Sequence, residues 1–204
     1  MKSIYILLTK STTICSKIVY LATRSEFTHA AISLDSSFNE LYTFGRKYSR
    51  LMLPAGFAIE SVYNGILGSS DNMKCAVYEL KISDKVYGNL VRILNYFELN
   101  RARYRYSIVG LPMCKFKKVY EREDYFFCSQ FVYHALSESG AIAKNSEPSL
   151  VGPMDLSLLP EATEVFKGEI RSLRVNGLAL SSMATGFYDF NMNKNRAPRR
   201  KMCV

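Results

Sequence analysis

Residues 27–45 read FTHAAISLDSSFNELYTFG, and this stretch decides which fold the sequence predicts. An apolar run over 27–34 leads into the turn-forming Asp35-Ser36-Ser37, and a second run over 40–44 ends at Gly45. Two such runs joined by a turn are typical of a β-hairpin. Residues 3–9, 57–62 and 75–82 have the same strand-like composition, so strands follow one another along the first part of the chain.

Helical patterns lie around these strands. Helices are expected from residue 11 or 12 to about 22, from 83 or 84 to about 97, over 107–113, and from 126 or 127 to 139, where Gly140 ends the last of them. A final strand is expected over 165–173. Consecutive strands with flanking helices predict the α+β class rather than a doubly wound βαβ fold, and no glycine-rich phosphate loop is present.

The composition is that of a globular protein. The chain has 204 residues, of which 48% are hydrophobic and 22% charged. We expect one domain over 1–173 and a C-terminal extension over 174–204 with a basic, disordered tail. No apolar run reaches the length of a membrane span, and the N-terminal residues do not resemble a secretory signal, so the expected compartment is the cytoplasm.

The five cysteines have no CxxC spacing and are odd in number. This pattern predicts neither a zinc site nor a disulfide framework, and no metal or organic cofactor is expected.

A net charge of +9 raises the question of a polyanionic partner. Twelve of the 27 Lys and Arg residues are concentrated in two groups, seven over Arg101–Arg122 and five in the tail over 194–201. No helix-turn-helix, zinc-finger or RNP pattern accompanies either group, so no specific nucleic-acid partner is predicted. A solvated basic face, or contact with an anionic surface through both groups, is the expectation.

His29 and Cys128 are candidates for catalysis. His29 lies within a strand of small and apolar residues, where a buried imidazole needs a hydrogen-bonding partner. Cys128 lies at the start of the amphipathic helix, where free backbone N–H groups and the helix dipole favour a thiolate and can hold an oxyanion. A histidine satisfied within the core and a cysteine packed among phenylalanines fit the same patterns. The other histidine, His134, is expected on another face of that helix, away from the chemistry.

Glu40 is the candidate third member. It lies on the return strand of the hairpin. If the numbers of the two residues in each cross-strand pair add up to an odd value, as 29 and 40 do, Glu40 lies on the same sheet face as His29. There its carboxylate would orient the imidazole, as in any nucleophile–base–acid triad. An exposed edge carboxylate is the alternative, and a shift of the register by one residue would separate the two side chains.

Taken together, residues 27–34, 39–42 and 127–132 resemble the circularly permuted, YiiX-like branch of the NlpC-type cysteine hydrolases. In that branch the histidine and the acidic or polar residue precede the cysteine, as they do here. The resemblance covers roughly residues 3–172, including the segment around Pro153-Met154-Asp155-Leu156.

The resemblance implies a permuted papain-like fold, in which a small antiparallel sheet packs against the helix that carries the nucleophile. It implies Cys128 as nucleophile, His29 as general base and acid, Glu40 as the orienting residue, and the Cys128 N–H as part of the oxyanion hole. The expected activity is hydrolysis or acyl transfer at an amide, ester or thioester bond of a peptide, amide or lipid-ester substrate. Permuted relatives include lecithin retinol acyltransferase-like lipid enzymes, so a lipid-directed enzyme is one alternative. An inactive binding module that uses its basic surface is the other.

Overall fold

The computed structural model describes residues 1–10, 25–46, 55–176 and 178. Six strands form one antiparallel sheet in the order β4-β3-β2-β1-β5-β8. These strands are β1 (Lys2–Thr9), β2 (His29–Ser33), β3 (Leu41–Arg46), β4 (Ala55–Glu60), β5 (Lys74–Ile82) and β8 (Thr163–Glu169). A parallel pair, β6 (Arg105–Tyr106) and β7 (Tyr125–Phe126), lies outside this sheet.

Five helices accompany the sheet in the described part of the chain. They are α1 (Gly65–Gly68), α2 (Asp84–Leu99), α3 (Gly110–Lys115), α4 (Cys128–Ser139) and α5 (Ile170–Asn176), with short 3₁₀ turns at Pro148–Leu150 and Pro153–Leu158. The Ser83 hydroxyl caps α2 by accepting the Val86 N–H at 3.3 Å. Gly140 ends α4 with φ of 83°, a left-handed conformation that favours glycine.

Both faces of the sheet are covered. One face packs against α2 and α4 in a cluster that includes Ile6, Ile32, Phe97 and Phe131. The opposite face packs against α1 and α5, and its members include Leu173. Strand β1 lies between β2 and β5, and the side chains from Ile4 to Thr9 are buried, as expected for a strand covered on both faces.

The predicted α+β class is confirmed, with an antiparallel sheet and several helices. The last predicted strand, 165–173, is only partly right because β8 ends at Glu169 and the chain then turns into α5, whose Ile170 and Leu173 are buried against the sheet. The predicted domain boundary after residue 173 falls inside α5, and the helix predicted over 11 or 12 to 22 lies outside the described residues. Most of the predicted extension and its basic tail lies outside them too, so the division into domain and extension stays a prediction.

None of the helices in the described ranges combines the length and the apolar character that a membrane span requires.

Candidate active site

Cys128 is the first residue of α4. Phe127 is the N-cap, and its backbone N–H donates to the Gln130 side-chain oxygen at 3.4 Å, which fixes the start of the helix. The Ser129 hydroxyl donates to the Val151 carbonyl at 2.8 Å and ties the same turn to the segment after Pro148–Leu150. Cys128 itself is 2% exposed, so its thiol lies in an environment almost free of solvent.

His29 and Glu60 complete a row of three polar groups with Cys128. The His29 Nε2 atom lies 3.1 Å from a Glu60 carboxylate oxygen, and the Cys128 thiol lies close enough to the same imidazole for each group to shift the pKa of the other. The His29 and Glu60 side chains are 15% and 17% exposed, so little water screens their interaction. Because Nε2 is engaged by Glu60, Nδ1 is the ring nitrogen available to the thiol.

The electrostatics favour a thiolate–imidazolium pair. Burial by itself lowers the pKa of His29, but the Glu60 carboxylate and the Cys128 sulfur outweigh it and raise that pKa well above its ordinary value. Burial likewise raises the pKa of Cys128, but His29 and the backbone N–H groups of Ala30 and Ser129 outweigh it and lower that pKa. The two shifts have opposite signs, so a proton moves from the thiol to the ring more readily than it would between free side chains.

The start of α4 also supplies hydrogen-bond donors. As the first residue of the helix, Cys128 has a backbone N–H without an acceptor inside the helix. Such an N–H, beside the positive end of the helix dipole, can stabilise an oxyanion that develops next to the sulfur. The backbone N–H of Ala30 on β2 helps to lower the pKa of Cys128. The Thr43 hydroxyl donates to the Ala30 carbonyl at 2.7 Å and holds this part of β2 in place.

The predicted contact between His29 and Glu40 is wrong. Ile32 pairs with Tyr42, so the numbers of paired residues add up to an even value. Odd-numbered residues of β3 therefore share the face of His29, and Glu40 lies on the opposite face. The Glu40 carboxylate instead accepts a hydrogen bond from the Tyr42 hydroxyl at 2.9 Å.

Glu60 takes the place expected of Glu40. The register between β3 and β4 has an odd sum, with Leu41 opposite Glu60, so Glu60 returns to the face of His29. Sequence reasoning placed Glu60 in a strand without assigning it a role. The available signal was the carboxylate of Glu60 itself, which directly follows Phe57-Ala58-Ile59 in the strand after the hairpin.

Gly45 lies between the carboxylate and the ring. A Cβ atom at this position would lie 3.3 Å from a Glu60 carboxylate oxygen and 3.7 Å from the His29 Cε1 atom. The absence of a side chain at residue 45 therefore leaves the space in which the two groups meet.

His134 is not part of this row. Its ring lies beside those of Phe97 and Phe126, with centroids 6.1 and 5.4 Å away, and burial lowers its pKa. It lines a groove of about 830 Å³ between α2 and α4 that neither Cys128 nor His29 lines. This groove is therefore separate from the row of Cys128, His29 and Glu60.

Within the residues that the structure describes, no cluster of three or more His, Cys, Asp and Glu side chains could hold a metal ion.

Comparisons with known proteins give distant structural similarity and no sequence relative. No family model and no curated protein matches the chain. Among solved structures, the chain is similar to the metalloprotein YiiX from Escherichia coli O157:H7, with a TM-score of 0.48 and 15% identity over 81% of this chain and 97% of that one. The function of this chain has to follow from the contacts of its own residues.

Proposed function

We propose that the chain is a cysteine-dependent hydrolase or acyltransferase, with Cys128 as nucleophile, His29 as general base and acid, and Glu60 as the orienting carboxylate. The observation that carries this proposal is the continuous contact from the Glu60 carboxylate through the His29 ring to a thiol at a helix N-terminus. Each group has the environment that its role requires. The chain order of histidine, carboxylate and cysteine is also the order expected of a circularly permuted papain-like enzyme.

The reaction begins with the proton of Cys128 on His29. The thiolate attacks the carbonyl carbon of an amide, ester or thioester, and the carbonyl electron pair moves to the oxygen, beside the Cys128 N–H. When the carbonyl re-forms, the bond to the leaving group breaks and His29 gives its proton to that group. An acyl thioester remains on Cys128.

Water or another acceptor completes the cycle. His29 removes a proton from the acceptor, whose oxygen or nitrogen attacks the thioester carbon, and the sulfur leaves as a thiolate beside the imidazolium. Glu60 keeps the ring in place and stabilises its charged form in both halves of the cycle. Water yields hydrolysis, and an alcohol or amine yields acyl transfer.

The pKa directions set the expected pH profile of acylation. The rate rises as Cys128 loses its proton, at a pH below the ordinary range of a thiol because the pKa of Cys128 is lowered. The rate falls when His29 loses the proton that the leaving group needs, at a pH above the ordinary histidine range because the pKa of His29 is raised. The profile is therefore a bell with a broad neutral plateau.

Mass spectrometry after exposure to a water-soluble p-nitrophenyl ester tests the proposal. We expect an acyl adduct on Cys128 that accumulates at neutral pH, is absent from Cys128→Ala and forms far more slowly in His29→Ala. Cys114→Ala is the matched control, since Cys114 is a partly buried thiol whose pKa is raised to about 11, mainly by burial. Acylation of Cys128 no faster than that of Cys114, or indifferent to His29, would contradict the proposal.

A further inference from the structure

The segment 108–119, which includes α3, has an outer face that is both apolar and cationic. Four of its apolar side chains are exposed: Ile108 (48%), Val109 (49%), Phe116 (66%) and Val119 (60%). Exposed apolar residues scattered singly are ordinary, but several within one short segment mark an interaction site.

Helical geometry groups these side chains. Gly110 and Cys114 are four residues apart and lie on the inner side of α3, where a Cβ on Gly110 would lie 3.1 Å from the Phe127 ring. Ile108 and Phe116 flank the two ends of this short helix and are exposed, as is Lys115 in its last turn. The backbone N–H of Lys118 returns to the Met113 carbonyl at 2.9 Å, which keeps the following residues close to the helix.

The charge of this face is of one sign. Residues 105–120 contain four cationic side chains and no Asp or Glu. Lys115, Lys117 and Lys118 are exposed, and none forms an ion pair with a described residue. The broader basic stretch is different, because Arg103 is paired with Glu123 and Asp124 at 2.7 and 2.6 Å.

The face lies next to the candidate active site. Its inner side contacts Phe127, the residue before the nucleophile, and the charge of Cys128 contributes to the electrostatic environment of Cys114. The segment that carries this face therefore packs against the start of α4.

We propose that the outer face of residues 108–119 docks the protein on an anionic lipid bilayer, with Ile108, Val109, Phe116 and Val119 entering the headgroup region and Lys115, Lys117 and Lys118 contacting lipid phosphates or carboxylates. Apolar side chains interleaved with lysines are the composition of segments that lie in a bilayer interface. Three exposed lysines without a described ion-pair partner complement a surface of anionic headgroups, and the exposed apolar side chains among them suit its interface with the acyl chains. The consequence for substrate class, a lipid-borne ester or amide presented to Cys128, rests on the proposed function.

Vesicle flotation of the full chain tests the docking. We expect binding to phosphatidylcholine vesicles that contain roughly one-third phosphatidylserine, weak binding to phosphatidylcholine alone, and loss of binding at high salt. Exchange of Lys115, Lys117 and Lys118 together for glutamine should weaken binding about a hundredfold, since each lysine near an anionic surface contributes about a fivefold effect. V109S combined with F116S should weaken binding by about tenfold.

Two controls separate this face from the overall charge and from exposed apolar surface elsewhere. The first exchanges Arg199, Arg200 and Lys201 for glutamine, which removes the same charge from the tail. The second is L99S, since Leu99 is 85% exposed at the end of α2. Both should bind like the wild type. Equal losses in control and test variants, or loss only in the tail variant, would overturn the docking surface.

The test of docking and the test of the proposed function can fail independently. Vesicle binding should persist in C128S, because docking requires no chemistry. The docking variants should keep wild-type acylation by the soluble p-nitrophenyl ester and lose acylation by an ester lipid embedded in vesicles. Binding without any acylation would refute the proposed function alone, and soluble acylation without vesicle binding would refute the docking alone.

Discussion

Replacing Glu60 by glutamine should slow the alkylation of Cys128 by about 30- to 100-fold near neutral pH, where the neutral thiol–imidazole pair becomes the main form of the variant. Glutamine keeps the size and the hydrogen-bonding capacity of the side chain and removes its charge. The Glu60 oxygen lies 3.1 Å from the His29 nitrogen, and both side chains are less than one-fifth exposed. The variant therefore removes the charge that stabilises the imidazolium and, through it, the thiolate.

The magnitude follows from this distance. Two unit charges at 3.1 Å interact by ~5 kcal/mol at an effective dielectric constant of 20. Partial exposure and the hydrogen bond that glutamine retains reduce the net loss to about half, ~2–2.7 kcal/mol, or a factor of about 30 to 100 in the equilibrium between the ion pair and the neutral pair. Where the neutral pair is the main form, near neutral pH, the alkylation rate is proportional to this equilibrium constant.

The assay is the rate of iodoacetamide labelling of the Cys128 peptide as a function of pH, read by mass spectrometry. Cys75 serves as an internal reference in the same digest, since burial raises its pKa to about 12. Glu40→Gln is the matched control, because Glu40 is bonded to Tyr42 and should leave the profile unchanged. The reasoning is refuted by a Glu60→Gln profile that superimposes on the wild type, or by an equal effect of Glu40→Gln. At strongly alkaline pH the variant and wild-type rates should converge, because the thiol ionises without help.

Three further substitutions separate the site from the scaffold. Gly45→Ala places a Cβ 3.3 Å from a Glu60 carboxylate oxygen, so labelling of Cys128 near neutral pH should slow while the thermal midpoint changes little. Unchanged labelling would show that the carboxylate can move aside without effect. Gly140→Ala forces a side chain into a φ of 83° and should lower the free energy of unfolding by roughly 1 kcal/mol, with wild-type acylation by the soluble ester. Ser129→Ala removes a buried 2.8 Å hydrogen bond and should lower the free energy of unfolding, measured in urea, by about 1–2 kcal/mol. A change near zero would mean that a water molecule replaces the hydroxyl.

The sequence predicted most strands of the sheet and the helices α2 and α4 well because the signals for these elements are local. The caps of α2 and α4, Ser83 and Gly140, are read from single residue types with a defined backbone role. Proximity of His29 and Cys128 was predicted from the joint order of two short motifs, and the structure places the two side chains in contact. Their roles in catalysis stay a prediction.

The carboxylate was missed because its position depends on strand register. A shift of one residue in the pairing of β2 with β3 exchanges the two faces of β3. No local signal in residues 35–40 fixes this register. The β3–β4 pairing then determines which acidic side chain shares the face of His29. The end of β8 was missed for a similar reason, since the apolar pattern of residues 165–173 fits a strand or a helix until packing decides.

The separation of the site along the chain has a consequence for folding kinetics. His29 and Glu60 belong to the first strands, whereas Cys128 begins a helix in the second half of the sequence. Bringing such distant segments together costs loop-closure entropy, and a chain in which α4 has not docked carries Cys128 as an ordinary thiol. Reactivity of Cys128 at acidic pH therefore requires α4 to be docked on the sheet, and its appearance during refolding measures the rate of that docking.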